Sequence, residues 1–484
     1  MAQAINREIR IVRLASITLI ALLALAPQQL TAKPRSTAGH PAGHPGAVAQ
    51  TIELAKALIA LRSVQGPGNQ TPAALAMVKA ALVKAGWQDS QVQVTPFNDT
   101  AFLVATWPGS DPSLKPLVIS GHMDVVEAKP ADWQRDPFTP VVENGYLFGR
   151  GASDMKFDAA LAASSLIELR RSGYKPRRAI VLQFSGDEET TMRSSRVIAE
   201  QLKGAEMVLN IDGGGGTLDE QTGKPLYWTW QGAEKTYVDF QLMVTNPGGH
   251  SSAPRPVNAI VQLATALERI GAYHFAPEVS PLTKAYFEKA AQFETNPQLA
   301  GAMRAFAANP QDQAAVSTLR GNYSYVGKIG TTCVPTMIDG GHAQNALPQR
   351  AVANINCRIF PGHSKMSIAA ELTAAIGMPE VKLSDVTGED SISAPASPMR
   401  PDFIAAAEKA MHLINPGLPI FPSQASGASD SMWYRALGVP SYGASPVFSK
   451  DSEDFAHGLN ERVPLSNAAP GITYYLSLFT DLSK

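Results

Sequence analysis

Seven side chains in this sequence have the types and placement needed to hold metal ions and activate water. They are His122, Asp124, Asp154, Glu188, Glu189, Asp212 and His457. His122 and Asp124 close the run Pro116-Leu-Val-Ile-Ser-Gly-His122-Met-Asp124, and Glu188-Glu189 close Arg178-Ala-Ile-Val-Leu-Gln-Phe-Ser-Gly-Asp. Asp212 closes Met207-Val-Leu-Asn-Ile and is followed by four glycines. Each residue alone has an ordinary explanation. His-x-Asp is usually a surface pair, Asp154 at the start of a helical stretch reads as an N-cap, and Glu188-Glu189 reads as a solvated acidic pair. His457 lies in a polar loop. Adjacent carboxylates at the end of a buried strand are costly, however, unless a cation neutralises them. Together these groups form the mixed imidazole and carboxylate set that suits zinc, with one glutamate left over as a base. Calcium, which prefers oxygen ligands alone, fits less well. The chemistry such a set performs is hydrolysis, in which metals polarise a carbonyl and acidify water while a carboxylate moves the proton.

The elements that must position these groups follow from the apolar pattern. The three runs are short, continuous and bounded by glycine, as in parallel strands buried on both faces. Ligands in open α/β sheets sit beyond the carboxyl ends of such strands. Helical spacing begins near residue 48, and a second helix fits 71–85 with Gly86 as its stop. Strands fit 92–97 and 102–107. From Val238 to Val244 the period changes to two, the sign of a strand with one buried face. A helix over 256–271, an alanine-rich helical region over 281–319 and an alternating hairpin over 331–360 follow. Helices return at 368–376 and 401–413. This predicts an α/β catalytic domain with a mainly parallel central sheet flanked by helices, over 48–232 and 362–484. An α+β (ferredoxin-like) lid or dimerisation domain is inserted over 233–361, with Pro361-Gly362 as its exit.

A chain of 484 residues is long enough for two cores. Its net charge of −1 gives no footprint for nucleic acid or a polybasic membrane surface. Arg7, Arg10 and Arg13 precede an apolar run over 14–26 and a small-residue site at Leu30-Thr-Ala32. That layout predicts a signal peptide over 1–32, a linker over 33–47 containing His40 and His44, and an exported, periplasmic or secreted protein free of the membrane after cleavage. An uncleaved anchor is the alternative. Export would permit a disulfide between Cys333 and Cys357, which face each other if the hairpin is centred near Asn345. A register slip of one residue would leave two free thiols.

The ordered motifs resemble those of the co-catalytic zinc metallopeptidases that include aminoacylase, acetylornithine deacetylase, succinyl-diaminopimelate desuccinylase, carboxypeptidase S and carnosine dipeptidase. The resemblance rests on Ser120-Gly-His122-Met-Asp124, Gly149-Arg-Gly-Ala-Ser-Asp154-Met-Lys, Gly186-Asp-Glu188-Glu189, Asn210-Ile-Asp212-Gly, Gly248-Gly-His250-Ser-Ser, Gly340-Gly with Asn345, Arg358-Ile-Phe-Pro-Gly362 and His457. It covers the chain from about residue 50 onward. It departs where Glu188-Glu189 continues Thr-Thr-Met and where Asn345 continues Ala-Leu-Pro. The resemblance implies two zinc ions per chain, with cobalt or manganese as substitutes. His122, Asp154 and Asp212 would hold one, and Asp154 would bridge to a second held by Glu189 and His457. Asp124 would orient His122, and Glu188 would activate the bridging water. His250, Asn345, Arg358 and Gly427 would contact substrate, His250 across a homodimer and Arg358 at the substrate carboxylate. The helical region resembles the enlarged lids of the carboxypeptidase S branch. The expected activity is cleavage of the last amide of a small peptide or N-acyl amino acid. The alternatives are an acetylornithine deacetylase-like deacylase and a non-catalytic binding protein on the same fold.

Overall fold

In the main sheet the strand Leu117–His122 lies between Ile180–Ser185 and Met207–Asn210, parallel to both. The computed structural model describes residues 43–453 and 455–484; the expected signal peptide, its cleavage site and His40 lie outside them. These three strands and Ser441–Gly443 form the parallel centre of a ten-stranded sheet. Antiparallel strands Val92–Phe97 and Thr100–Trp107 extend one side, and Pro225–Glu234, Gly215–Leu218 and Ile420–Ala425 extend the other. The continuous apolar runs are explained by burial on both faces. Leu117 and Ile119 join a core with helices Pro45–Ile59, Lys156–Arg171 and Ala468–Ser483. Val118, Val181 and Val208 point the other way, against Met432, Trp433 and Tyr434. Among the described residues, no helix is long and apolar enough to cross a membrane.

The first helix starts at Pro45, so the expected linker ends earlier than residue 47. Proline is preorganised for a first helical turn, and His44 beside it is tied to Glu168 Oε1 at 2.8 Å.

The segment expected as the lid, called the lid below, forms a second, four-stranded antiparallel sheet in the order Thr332–Gly340, Arg350–Ile359, Thr236–Thr245, Lys382–Asp385. Val238, Phe240, Leu242 and Val244 face a core shared with helices Ala259–Ala272 and Lys365–Ile376, and the strand alternates buried and half-buried as its sequence predicts. The lid therefore runs past the exit expected at Pro361-Gly362. Ile368, Leu372 and Ile376 cover its apolar face, and Phe240 pairs with Asp385. Only with this last helix and strand is the β-α-β-β-α-β unit complete; the strand is too short to show alternation in the sequence. Cys333 and Cys357 are in register, with Cα atoms 4.1 Å apart, and form a disulfide. The helices Pro281–Ala290, Pro297–Ala308 and Gln313–Arg320 do not enlarge the lid. Phe287, Met303, Phe306 and Leu319 build a core with Phe421 of the main sheet, and Tyr227 packs against it.

Candidate metal centre

His122 is the last residue of its strand, paired with Ser185 and 1% exposed. Its Nδ1 lies 3.0 Å from the backbone carbonyl oxygen of Asp124 and 3.6 Å from that residue's Oδ1. A carbonyl can only accept, so Nδ1–H donates and Nε2 is the ring atom left to face outward. That Nε2 is 3.0 Å from Asp154 Oδ1 and 3.7 Å from Asp212 Oδ1. A lone pair facing two carboxylates requires a cation or a proton between them. Asp124, which the resemblance assigned to orienting His122, does so chiefly through its main chain.

Asp154 reaches the same point from the loop before helix Lys156–Arg171. Its other oxygen, Oδ2, is 3.1 Å from Nε2 of His457, which is 2.9 Å from Glu189 Oε2. Two groups thus share Asp154: His122, Asp154 and Asp212, and Asp154, Glu189 and His457, each with its candidate donor atoms within 4.8 Å of one another. These five are the residues that the resemblance implies as ligands.

Electrostatics test the fit. Burial opposes charge on His122, yet Asp212, Asp124 and Asp154 together raise its imidazole well above the usual range. Hydrogen bonds to Asp154 and Glu189 push His457 up to about 10. Burial works to raise Asp154, but both imidazoles hold it low. Asp212 is raised by burial, against the pull of His122. A cluster that draws protons onto both imidazoles carries excess negative charge, which is the condition for taking up cations. The donor set fits two metal ions, with Asp154 common to both groups of candidate ligands.

Glu188 is 7% exposed, and burial raises its carboxyl well above the ordinary value, with His122 opposing. It lines a cavity of about 390 Å³ together with the ligand carboxylates, Arg358 and Tyr237 from the lid, and Gly427. The Arg358 guanidinium lies 4.6 Å from the centre of the Tyr237 ring. Open space surrounds Gly427 where a side chain would begin. A second cavity of about 390 Å³ also touches Asp154 and Asp212, walled by the backbone of 213–216, Thr229 and Ser445. His250 and Asn345 do not line the cavity that holds Arg358. They lie together elsewhere on the lid, where the Ser251 N–H donates to the Asn345 carbonyl at 3.0 Å and His250 is exposed.

Two neighbours of the centre were not legible as functional. Tyr237 read only as the polar face of a strand. Glu461 lies four residues after His457 in the same loop, a spacing that carries no ligand signature.

A model of Peptidase family M20/M25/M40 matches residues 118–481. N-fatty-acyl-amino acid synthase/hydrolase PM20D1 of Xenopus tropicalis is 27% identical over 394 residues, covering 76% of this chain and 73% of that one. Probable carboxypeptidase S-like 2 of Dictyostelium discoideum is 27% identical over 410 residues, covering 79% and 74%. The M20 family metallo-carboxypeptidase Sso-CP2 of Sulfolobus solfataricus has the same fold, with a TM-score of 0.68 over 89% of this chain and 98% of that one at 17% identity.

Proposed function

Because the chain belongs to Peptidase family M20/M25/M40, we propose that it is an exported di-zinc amidohydrolase. It cleaves the C-terminal amide of small peptides or N-acyl amino acids. The observation that carries this reading is the Asp154 carboxylate, whose two oxygens face two different imidazoles beside the cavity shared by Glu188 and Arg358.

His122, Asp154 and Asp212 would hold one ion, and Asp154, Glu189 and His457 the other. Zinc bound there supplies a Lewis acid for the scissile carbonyl and lowers the pKa of water. Glu188 takes the proton of the attacking water on its carboxylate and passes it to the leaving nitrogen. Arg358, stacked on Tyr237, pairs with the substrate α-carboxylate, for which a planar guanidinium is suited. The acyl side of the bond extends toward the second cavity, along the glycine backbone of 213–216.

Dimerisation through the lid belongs to the same reading. The edge strand Thr332–Gly340 exposes Val334, Met337 and Ile338, and helix Ala259–Ala272 exposes Ile260 and Val261. A second copy seated on that apolar face would bring its own His250 toward a cavity that the His250 of this chain does not line. Light scattering checks it: a monomer at micromolar concentration removes this part of the reading. The Cys333–Cys357 disulfide supports an oxidising destination, and N-terminal sequencing of the mature protein tests cleavage near residue 32.

The deciding experiment is metal content by mass spectrometry, paired with hydrolysis of dipeptides, C-terminally blocked dipeptides and N-acyl amino acids of short and long chain. About two zinc per chain and hydrolysis only beside a free α-carboxylate is the expected result. Turnover of blocked and free substrates alike would remove Arg358 from its role. A preference for N-acyl amino acids, which include the N-fatty-acyl-amino acids in the name of the Xenopus tropicalis relative, would narrow the activity to a deacylase. Absence of both metal and turnover would leave a binding protein on this fold.

A further inference from the structure

His457 is the ligand least secured by regular structure. It sits in a loop with φ of 60°, and its side chain is 54% exposed. Asp154 also belongs to a loop, the glycine-rich segment before helix Lys156–Arg171. By contrast His122 ends a buried strand, and Asp212 follows one.

The two loops are joined by Arg150 and Glu461, whose side chains are 3% and 0% exposed. Arg150 Nη1 donates to Glu461 Oε2 at 2.6 Å. Arg150 Nη2 donates to the backbone carbonyls of His457 at 3.4 Å and Gly458 at 3.2 Å. Glu461 reaches back the other way. Its carboxylate accepts the backbone N–H groups of Gly151 at 3.0 Å, Ser153 at 2.7 Å and Asp154 at 3.0 Å, and the Ser153 hydroxyl at 3.0 Å. Each side chain therefore grips the main chain of the other's loop. The Asp154 loop contributes the arginine that holds His457, and the His457 loop contributes the glutamate that holds Asp154.

A buried ion pair adds little stability over apolar residues of the same volume, because desolvating both charges offsets their attraction. What the pair adds is geometry: it fixes the separation of two loops that secondary structure leaves free. We propose that Arg150 and Glu461 are positioning residues that preform the Asp154–Glu189–His457 cation site, and set its affinity separately from that of the His122–Asp154–Asp212 site. This rests on the two-cation reading of the centre. The strand-borne site keeps His122, Asp212 and the His122–Asp154 contact when the clasp is lost. Both sites share the loss of the Glu461 hold on the Asp154 main chain, and the other site alone also loses the restraint on His457.

The test is a titration of the metal-free protein with Co²⁺, read by visible absorption and calorimetry, with a thermal melt of the same metal-free samples. In the double variant R150M/E461M the clasp is gone while volume is nearly kept. The first equivalent should bind within about threefold of wild type, and the second should weaken by about 10–100-fold, the size of effect seen when groups that orient ligands are removed. Arg150→Lys keeps a charge beside Glu461 but lacks the second Nη that holds the His457 and Gly458 carbonyls. It should weaken the second equivalent alone, and it decides the matter if the double variant does not fold. Unchanged binding of both equivalents in a folded variant overturns the inference. So does equal loss of both equivalents with a lowered melting temperature of the metal-free protein, which would make the pair a general brace. If wild type itself takes up no second Co²⁺, the two-cation reading fails instead.

Discussion

Asp124 holds Glu188 by its main chain. One carboxylate oxygen of Asp124 accepts the Glu188 N–H at 3.1 Å, and the other accepts the Glu189 N–H at 3.0 Å. The backbone carbonyl of Asp124 meanwhile meets His122 Nδ1 at 3.0 Å. One residue thus sets the position of the proposed base and of a ligand from each cation site. Asp124→Ala should lower kcat/KM by about 10–100-fold, the range for groups that orient metal ligands. The loss should fall mostly on kcat. A variant with wild-type kcat and normal zinc content would show that the strand ends hold themselves in place.

Glu188 lines the cavity and belongs to neither group of candidate ligands. Glu188→Gln keeps its size and removes the base, so kcat should fall by about 10²–10⁴-fold, the range for a positioned proton carrier. Metal stoichiometry should be unchanged. Mass spectrometry and steady-state kinetics on one preparation check both halves, and activity near wild type would eliminate Glu188 as the base.

Arg358 comes from the lid, stacked on Tyr237, into the cavity that holds Glu188. Replacing it by Met should raise KM by about 10–100-fold for substrates with a free α-carboxylate, equivalent to losing one hydrogen bond to a charged group. Substrates with a blocked carboxylate should be unaffected. An equal effect on both would mean that Arg358 shapes the lid rather than reading the substrate.

Lys235 is fully buried, with Nζ donating to Thr332 Oγ1 at 3.1 Å. Burial, and next the nearby Arg358 charge, push its amine down to about 7. An unfolded lysine titrates near 10.4, so between these values the unfolded chain binds more protons than the folded one. Lys235 therefore opposes folding most at neutral pH and below, and less as the pH rises. Lys235→Met should be more stable than wild type at pH 7, and that advantage should shrink by roughly 2 kcal/mol by pH 9. Urea denaturation at the two pH values measures it. A stability difference that stays constant with pH would show that the amine is not depressed.

The sequence by itself determined where the metal-binding groups emerge. A strand buried on both faces is apolar throughout, so the first polar residues after such a run mark the strand's end, and His122, Glu188-Glu189 and Asp212 were visible for that reason. Period-two alternation over 238–244 likewise identified a strand with one buried face, whereas the hairpin left Cys333 and Cys357 either opposite each other or one residue out of register, and only the strand pairing set them opposite.

Contacts between segments far apart in the chain were decided only by the tertiary structure. The partners of the Asp124 carboxylate are backbone N–H groups, which every residue but proline has, so no residue type announces them. The pairing of Arg150 with Glu461 joins loops separated by most of the chain. His250 matched a motif as well as Arg358 did, yet only Arg358 lines the cavity, because that depends on how the lid is set against the main sheet. The helices over 281–320 look alike in sequence whether they enlarge the lid or cover the sheet. Phe421 and Tyr227 of the main sheet settle it by packing against Phe287 and its neighbours. Local patterns report which face of an element is buried, and only the folded chain selects what is buried against it.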